Sequence, residues 1–114
     1  MFEVILYEDE KGISPVGEYI KKLTEKQQNK ILAYIDRLVD LGFNLKRPTA
    51  DSLGEGSGLY ELRPDRHRIL YFFHKRTQII LLHAFLKRTE AIPQKEITIA
   101  LKRKLDFLKE EGRT

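Results

Sequence analysis

The sequence predicts a single α+β domain over residues 1–114: a small curved antiparallel sheet carrying an N-terminal helical hairpin and a C-terminal helix, in the order β-α-α-β-β-β-α. Three observations predict it. Apolar residues recur at helical spacing in two stretches near the N-terminus and one near the C-terminus. Short aromatic and β-branched runs occupy the start and the centre of the chain. The three central runs are joined by connections of only four and three residues, which suits hairpins in an antiparallel meander. A chain of 114 residues is one domain's length and buries roughly two-thirds of its unfolded surface.

Phe2 to Tyr7 (FEVILY) reads as a largely buried strand closed by the acidic segment that follows. Ser14 then Pro15 marks a helix start, a hydroxyl cap followed by proline at the first helical position. Val16, Tyr19, Ile20 and Leu23 follow at helical spacing. Thr24 and Gln27 have capping-box spacing and open a second helix. Its apolar face is Ile31, Ile35, Leu38 and Val39, and Gly42 stands where a helix C-terminus needs glycine. The two helices are nearly contiguous, so they are expected as an antiparallel hairpin on one side of the sheet. Asn44 to Gly58 reads as a loop. The runs Leu59–Arg63, Arg68–His74 and Gln78–Leu86 read as the meander. Pro93 opens the last helix, expected to run to about Lys109 with the stripe Ile97, Leu101, Leu105 and Leu108.

The composition excludes several classes. The 41% hydrophobic and 33% charged shares fit a folded globular chain and not a disordered one. With no cysteine, there is no disulfide, thiolate nucleophile or cysteine-ligated metal. No apolar run approaches the roughly 18 residues of a membrane span, and MFEVILYEDE lacks the basic start of a secretory signal, so a cytoplasmic location is expected. The net charge of +4 is unevenly placed. Residues 60–88 carry +5, with Arg63, Arg66, Arg68, Lys75, Arg76, Lys87 and Arg88 against Glu61 and Asp65. Such a patch suits a polyanion or an acidic partner.

Familiar catalytic patterns are missing. The glycines at 54, 56 and 58 precede a strand with no phosphate-loop lysine after them. His67, His74 and His83 lack metal-ligand spacing, so no metal and no cofactor are expected. His83, among apolar residues, reads as a satisfied core histidine. What remains is basic. Guanidinium forks bind phosphate bidentately at any relevant pH, although Arg63 could equally pair with Glu61 or Asp65 and only decorate the surface. Arg68 opens an apolar strand, where a terminal charge costs little, so its removal is expected to leave the fold intact. Arg63 and Arg68 flank one short connection. A flat meander would leave Arg88 far from them, so its convergence on the same concave patch is expected only through strand twist and the turn over residues 87–92.

The strings Gly58-Leu59-Tyr60-Glu61-Leu62-Arg63, Arg68-Ile69-Leu70-Tyr71-Phe72 and Leu81-Leu82-His83-Ala84-Phe85-Leu86-Lys87-Arg88, followed by Pro93 and Ala100, resemble the RelE/ParE toxin superfamily, in particular its phage-derived Gp49-like, HigB-like branch. The resemblance implies a RelE-like fold and a toxin of a type II toxin–antitoxin pair. It implies ribosome-dependent mRNA cleavage, with the ribosome, mRNA and a helix-turn-helix antitoxin as partners. By motif position it implies catalytic roles for Arg63, Arg68 and Arg88, with Lys87 beside Arg88. For such a nuclease Glu61 or His67 is the candidate proton acceptor, and Lys87, Arg66 and Arg76 are the expected RNA contacts. Relatives of the RelE type place a tyrosine after the basic pair, whereas Thr89–Lys95 holds no aromatic residue. A gyrase-inhibiting, ParE-like toxin without nuclease activity is the alternative.

Overall fold

The computed structural model describes residues 1–54 and 56–112. Strand β1 spans Glu3–Leu6, followed by helices α1 (Pro15–Lys21) and α2 (Glu25–Leu41). Strands β2 (Ala50–Ser52), β3 (Tyr60–Leu62), β4 (His67–His74) and β5 (Gln78–Leu86) precede helix α3 (Gln94–Gly112). The strands form one sheet in the order β1-β5-β4-β3-β2.

The local signals act as their chemistry requires. Ser14 Oγ accepts from Gly17 N at 3.0 Å and caps α1. Thr24 and Gln27 exchange side chain-to-backbone bonds, which closes the capping box of α2. Gly42 ends α2 at φ +49°, and a Cβ there would overlap the Phe2 ring.

The expected architecture is present, with three differences. The sheet is mixed, because β1 pairs in parallel with β5 (Glu3↔Gln78 to Leu6↔Leu81), while the other pairs are antiparallel. The segment read as a loop contains β2, which pairs with β3 through Ala50↔Leu62 and Ser52↔Tyr60. Helix α3 runs on to Gly112, and its buried face keeps Ile97 and Leu101 of the expected stripe but not Leu105 or Leu108. Ile97, Ala100, Leu101 and Phe107 pack on the sheet, while Leu105 is 64% exposed. A strict i+4 step drifts about 40° per step around a helix of 3.6 residues per turn, so the stripe has rotated away by the third member.

Both faces of the sheet are covered. Val16, Ile31 and Leu38 of the hairpin pack on Leu62, Ile69, Tyr71, Ile79 and Leu81. On the other face α3 packs on Leu59, Leu70, Phe72, Ile80 and Leu82. This is why β4 and β5 read as continuous apolar runs and not as alternating ones. A β-bulge shifts the register between Leu70↔His83 and Tyr71↔Leu81, leaving Leu82 unpaired. Leu82 and His83 therefore both face α3, where His83 Nε2 lies 2.7 Å from Glu96 Oε1 and Nδ1 lies 3.0 Å from an Arg103 nitrogen. Among the described residues, no helix is long and apolar enough to cross a membrane.

A basic cavity where β4 begins and β5 ends

The antiparallel register of β4 and β5 builds the site. His67 stands opposite Leu86, and Lys87 N donates to Arg66 O at 2.8 Å, which extends the ladder by one step. The end of β5 therefore lies beside the start of β4. This corrects the sequence-based geometry: Arg88 reaches the neighbourhood of Arg68 by ordinary antiparallel pairing, with no need for twist. The result is an open cavity of about 410 Å³ lined by Arg66, Arg68, Lys87, Arg88, Thr89 and Glu90. A second groove, of about 380 Å³, is mostly aromatic and apolar, with Phe43, Tyr60, Phe73 and Leu108 in its walls.

Arg68 forms the inner wall. It is only 7% exposed, contrary to the strand-end charge expected from the sequence. One guanidinium nitrogen donates to Asp65 O and His67 O, each at 2.8 Å. Its Nε lies 3.2 Å from Glu61 Oε1, and Glu61 is equally buried. The ion contact is misaligned for a hydrogen bond, so both atoms are buried without a hydrogen-bond partner. Burial lowers the Arg68 pKa, and Glu61 counters that shift. Removing Arg68 would strand a buried carboxylate, so the position is not a mild surface site.

The other expected residues are placed as follows. Arg63 shares a sheet face with Glu61 and lies within electrostatic reach of Arg68, but it does not line the cavity. Its backbone N–H donates to Thr49 O at 2.8 Å, tying the end of β3 to the segment before β2. His67 is 5% exposed, and its Nδ1 lies 2.6 Å from the Tyr19 hydroxyl of α1. Burial holds its pKa below the ordinary 6.5, so the ring is neutral at pH 7. Burial raises the Tyr19 pKa, and the nearby Arg88 charge opposes that rise. Arg76 sits in the turn joining β4 to β5, at the far end of an eight-residue strand. That separates it from the cavity by about 23 Å at 3.3 Å per residue.

The structure thus brings together Arg66, Arg68, Lys87 and Arg88, with Arg63 on the flank. It adds Thr89 and Glu90, which the sequence reading passed over. Thr89 Oγ1 donates to Ala91 O at 2.6 Å, and Ile92 packs into the α3-side core. The local turn and the anchored Ile92 leave Thr89 and Glu90 in the cavity wall. A carboxylate two residues after a Lys-Arg pair was the available signal, but nothing in the sequence alone sets it beside those cations.

A sequence profile of the phage-derived protein Gp49-like family matches residues 18–105, which include every element from α2 to β5 and most of α3. No match to a curated protein was found. The chain belongs to the phage-derived Gp49-like family, a RelE-like toxin family, and that membership carries with it an antitoxin partner.

Proposed function

We propose that the chain is the toxin of a type II toxin–antitoxin pair, of the HigB-like kind, and that it cleaves mRNA on the ribosome. The observation that carries the reading is the cavity itself. Four cations line it, and one of them is a buried arginine held in place by two backbone carbonyls and a carboxylate. Phosphate oxygens match guanidinium geometry and charge.

In this reading the ribose 2′-OH attacks the adjacent phosphorus. The products are a 2′,3′-cyclic phosphate and a 5′-OH, and the chemistry draws on no cofactor. Arg68 and Arg88 hold the scissile phosphate and offset the charge that builds on its oxygens in the transition state. Arg66 and Lys87 hold the neighbouring backbone, and Arg63 adds positive potential from the flank. Glu61 acts through Arg68, fixing its guanidinium at the wall. Arg76 serves only as a separate contact to RNA. The antitoxin, of helix-turn-helix type, silences the toxin when bound.

The test is expression without the antitoxin. Translation stops before DNA replication in pulse labelling, and mRNA recovered from ribosomes carries new 5′-OH ends. Arg88→Ala abolishes both effects while changing stability by less than about 0.5 kcal/mol, as an exposed substitution should. A DNA-damage response with intact mRNA would refute the nuclease and favour the gyrase-directed alternative.

A further inference from the structure

The cavity needs a proton acceptor if a ribose hydroxyl is to attack, and the two candidates from the sequence are poorly placed for it. The Glu61 carboxylate is buried against Arg68, and moving it to a substrate would leave that guanidinium uncompensated. His67 is buried still more deeply, and one ring nitrogen is occupied by the Tyr19 hydroxyl. Glu90 differs on each count. It is exposed, it is the one carboxylate among the described residues that line the cavity, and it has no ion pair or hydrogen bond with any described residue.

Its position is fixed from both sides. Upstream, Lys87 is bonded to Arg66 at the end of the ladder. Across Glu90, Thr89 Oγ1 donates to Ala91 O in a tight local turn, and downstream Ile92 packs into the α3-side core. Glu90 is thereby held at the lip of the cavity, with Arg66, Arg68, Lys87 and Arg88 around it.

We propose that Glu90 is the general base of this site, the group that takes the 2′-OH proton of a bound ribonucleotide. The inference rests on the nuclease reading above. In the step, the 2′-OH proton passes to a Glu90 carboxylate oxygen and the 2′-oxygen forms its bond to phosphorus. The P–O5′ bond breaks, and the leaving 5′-oxygen takes a proton from water. Glu90 then returns its proton to solvent. The substrate class this requires is a single-stranded ribonucleotide. A deoxyribonucleotide at the scissile position offers no proton to remove and binds as an inert analogue.

A structural role would look different. If Glu90 only relieves repulsion among the four cations, neutralising it strengthens RNA binding and leaves cleavage as fast or faster, because one negative charge has left a phosphate-binding surface. A general base gives the opposite pairing of effects. The experiment compares wild type, Glu90→Gln and Glu90→Asp on ribosomes programmed with a short mRNA under single-turnover conditions. Affinity is measured separately on ribosomes carrying an uncleavable mRNA with 2′-O-methyl riboses. The expected result for Glu90→Gln is a cleavage rate lower by roughly 100-fold or more, the usual scale for a lost general base, with affinity unchanged or tighter and an unchanged melting temperature. Glu90→Asp, which keeps the carboxylate on a shorter stem, recovers part of the rate.

Cleavage by Glu90→Gln within about threefold of wild type overturns the assignment, as does a rate loss that tracks a loss of affinity or of folding. If wild type itself leaves the programmed mRNA intact, the nuclease reading fails and the inference falls with it. That outcome is distinguished from the others by the wild-type lane alone.

Discussion

Replacing Arg68 tests whether the cavity wall is also a structural element. The Glu61 and Arg68 side chains are both about nine-tenths buried, and they face each other at 3.2 Å. Arg68→Met removes the cation and keeps an apolar stem, which leaves the Glu61 carboxylate buried without a counter-charge. Breaking a buried pair from one side typically costs about 3–5 kcal/mol. For a domain of this size each kcal/mol moves the melting temperature by roughly 4 °C, so a fall of about 12–20 °C is expected. Adding Glu61→Leu removes the stranded charge. The double variant should then return to within about 1–2 kcal/mol of wild type, short of full recovery because the bonds to Asp65 O and His67 O are gone. Urea titrations of the four proteins, compared at constant slope, give the coupling energy directly. If Arg68→Met loses less than about 0.5 kcal/mol, the pair is not coupled and the buried-wall description is wrong. The cycle also separates stability from function, because the double variant folds but should remain non-toxic for want of the guanidinium.

Two further outcomes follow from the packing. Burial depresses the pKa values of His67 and His83, so the folded state holds fewer protons than the unfolded chain near and below the ordinary 6.5. Their contribution is therefore fully present above that value and lost as pH falls through the folded-state pKa values, and urea midpoints should fall steadily from pH 7.5 to 5; a flat or rising profile contradicts the buried, neutral rings. Gly42→Ala forces an L-residue into φ +49° and drives its methyl into the Phe2 ring, so a loss of about 1–2 kcal/mol or more is expected by thermal melting. A neutral result there would mean that the end of α2 can adopt another conformation.

The elements legible in the sequence are those whose signal is local. Ser14-Pro15, the Thr24–Gln27 pair and the apolar runs of β4 and β5 state their structure within a few residues. β2 has no such signal: Ala50, Asp51 and Ser52 are poor strand formers, and they are extended because β3 pairs with them. The parallel place of β1 beside β5 was equally hidden, since its partner lies far along the chain. The site divides in the same way. The cations of the cavity could be listed from the motif, but two of its properties depend on register. Glu61 meets Arg68 only because Leu62 pairs with Ile69, and a charge at the start of an apolar strand looks exposed until that pairing is known. Glu90 enters the cavity only because Lys87 pairs with Arg66.

That register also divides labour among the cations. Arg68 is fixed by two backbone carbonyls and a carboxylate, so its guanidinium is already oriented before any ligand arrives. Arg66 and Arg88 are exposed and Lys87 is half-buried beside them. A phosphate approaching from solvent first meets charges that attract it over about a Debye length, roughly 8–10 Å at physiological salt. It then meets one group whose geometry is set in advance, and such pre-organisation lowers the barrier to reaction in a way that attraction alone does not. Losing a rim cation should therefore weaken capture and its salt dependence, while altering the wall changes the angle at which the phosphate is presented. In the proposed reading the residue that would fix this angle also holds the start of β4 in place, so an arginine inside the fold and not on its surface serves both ends.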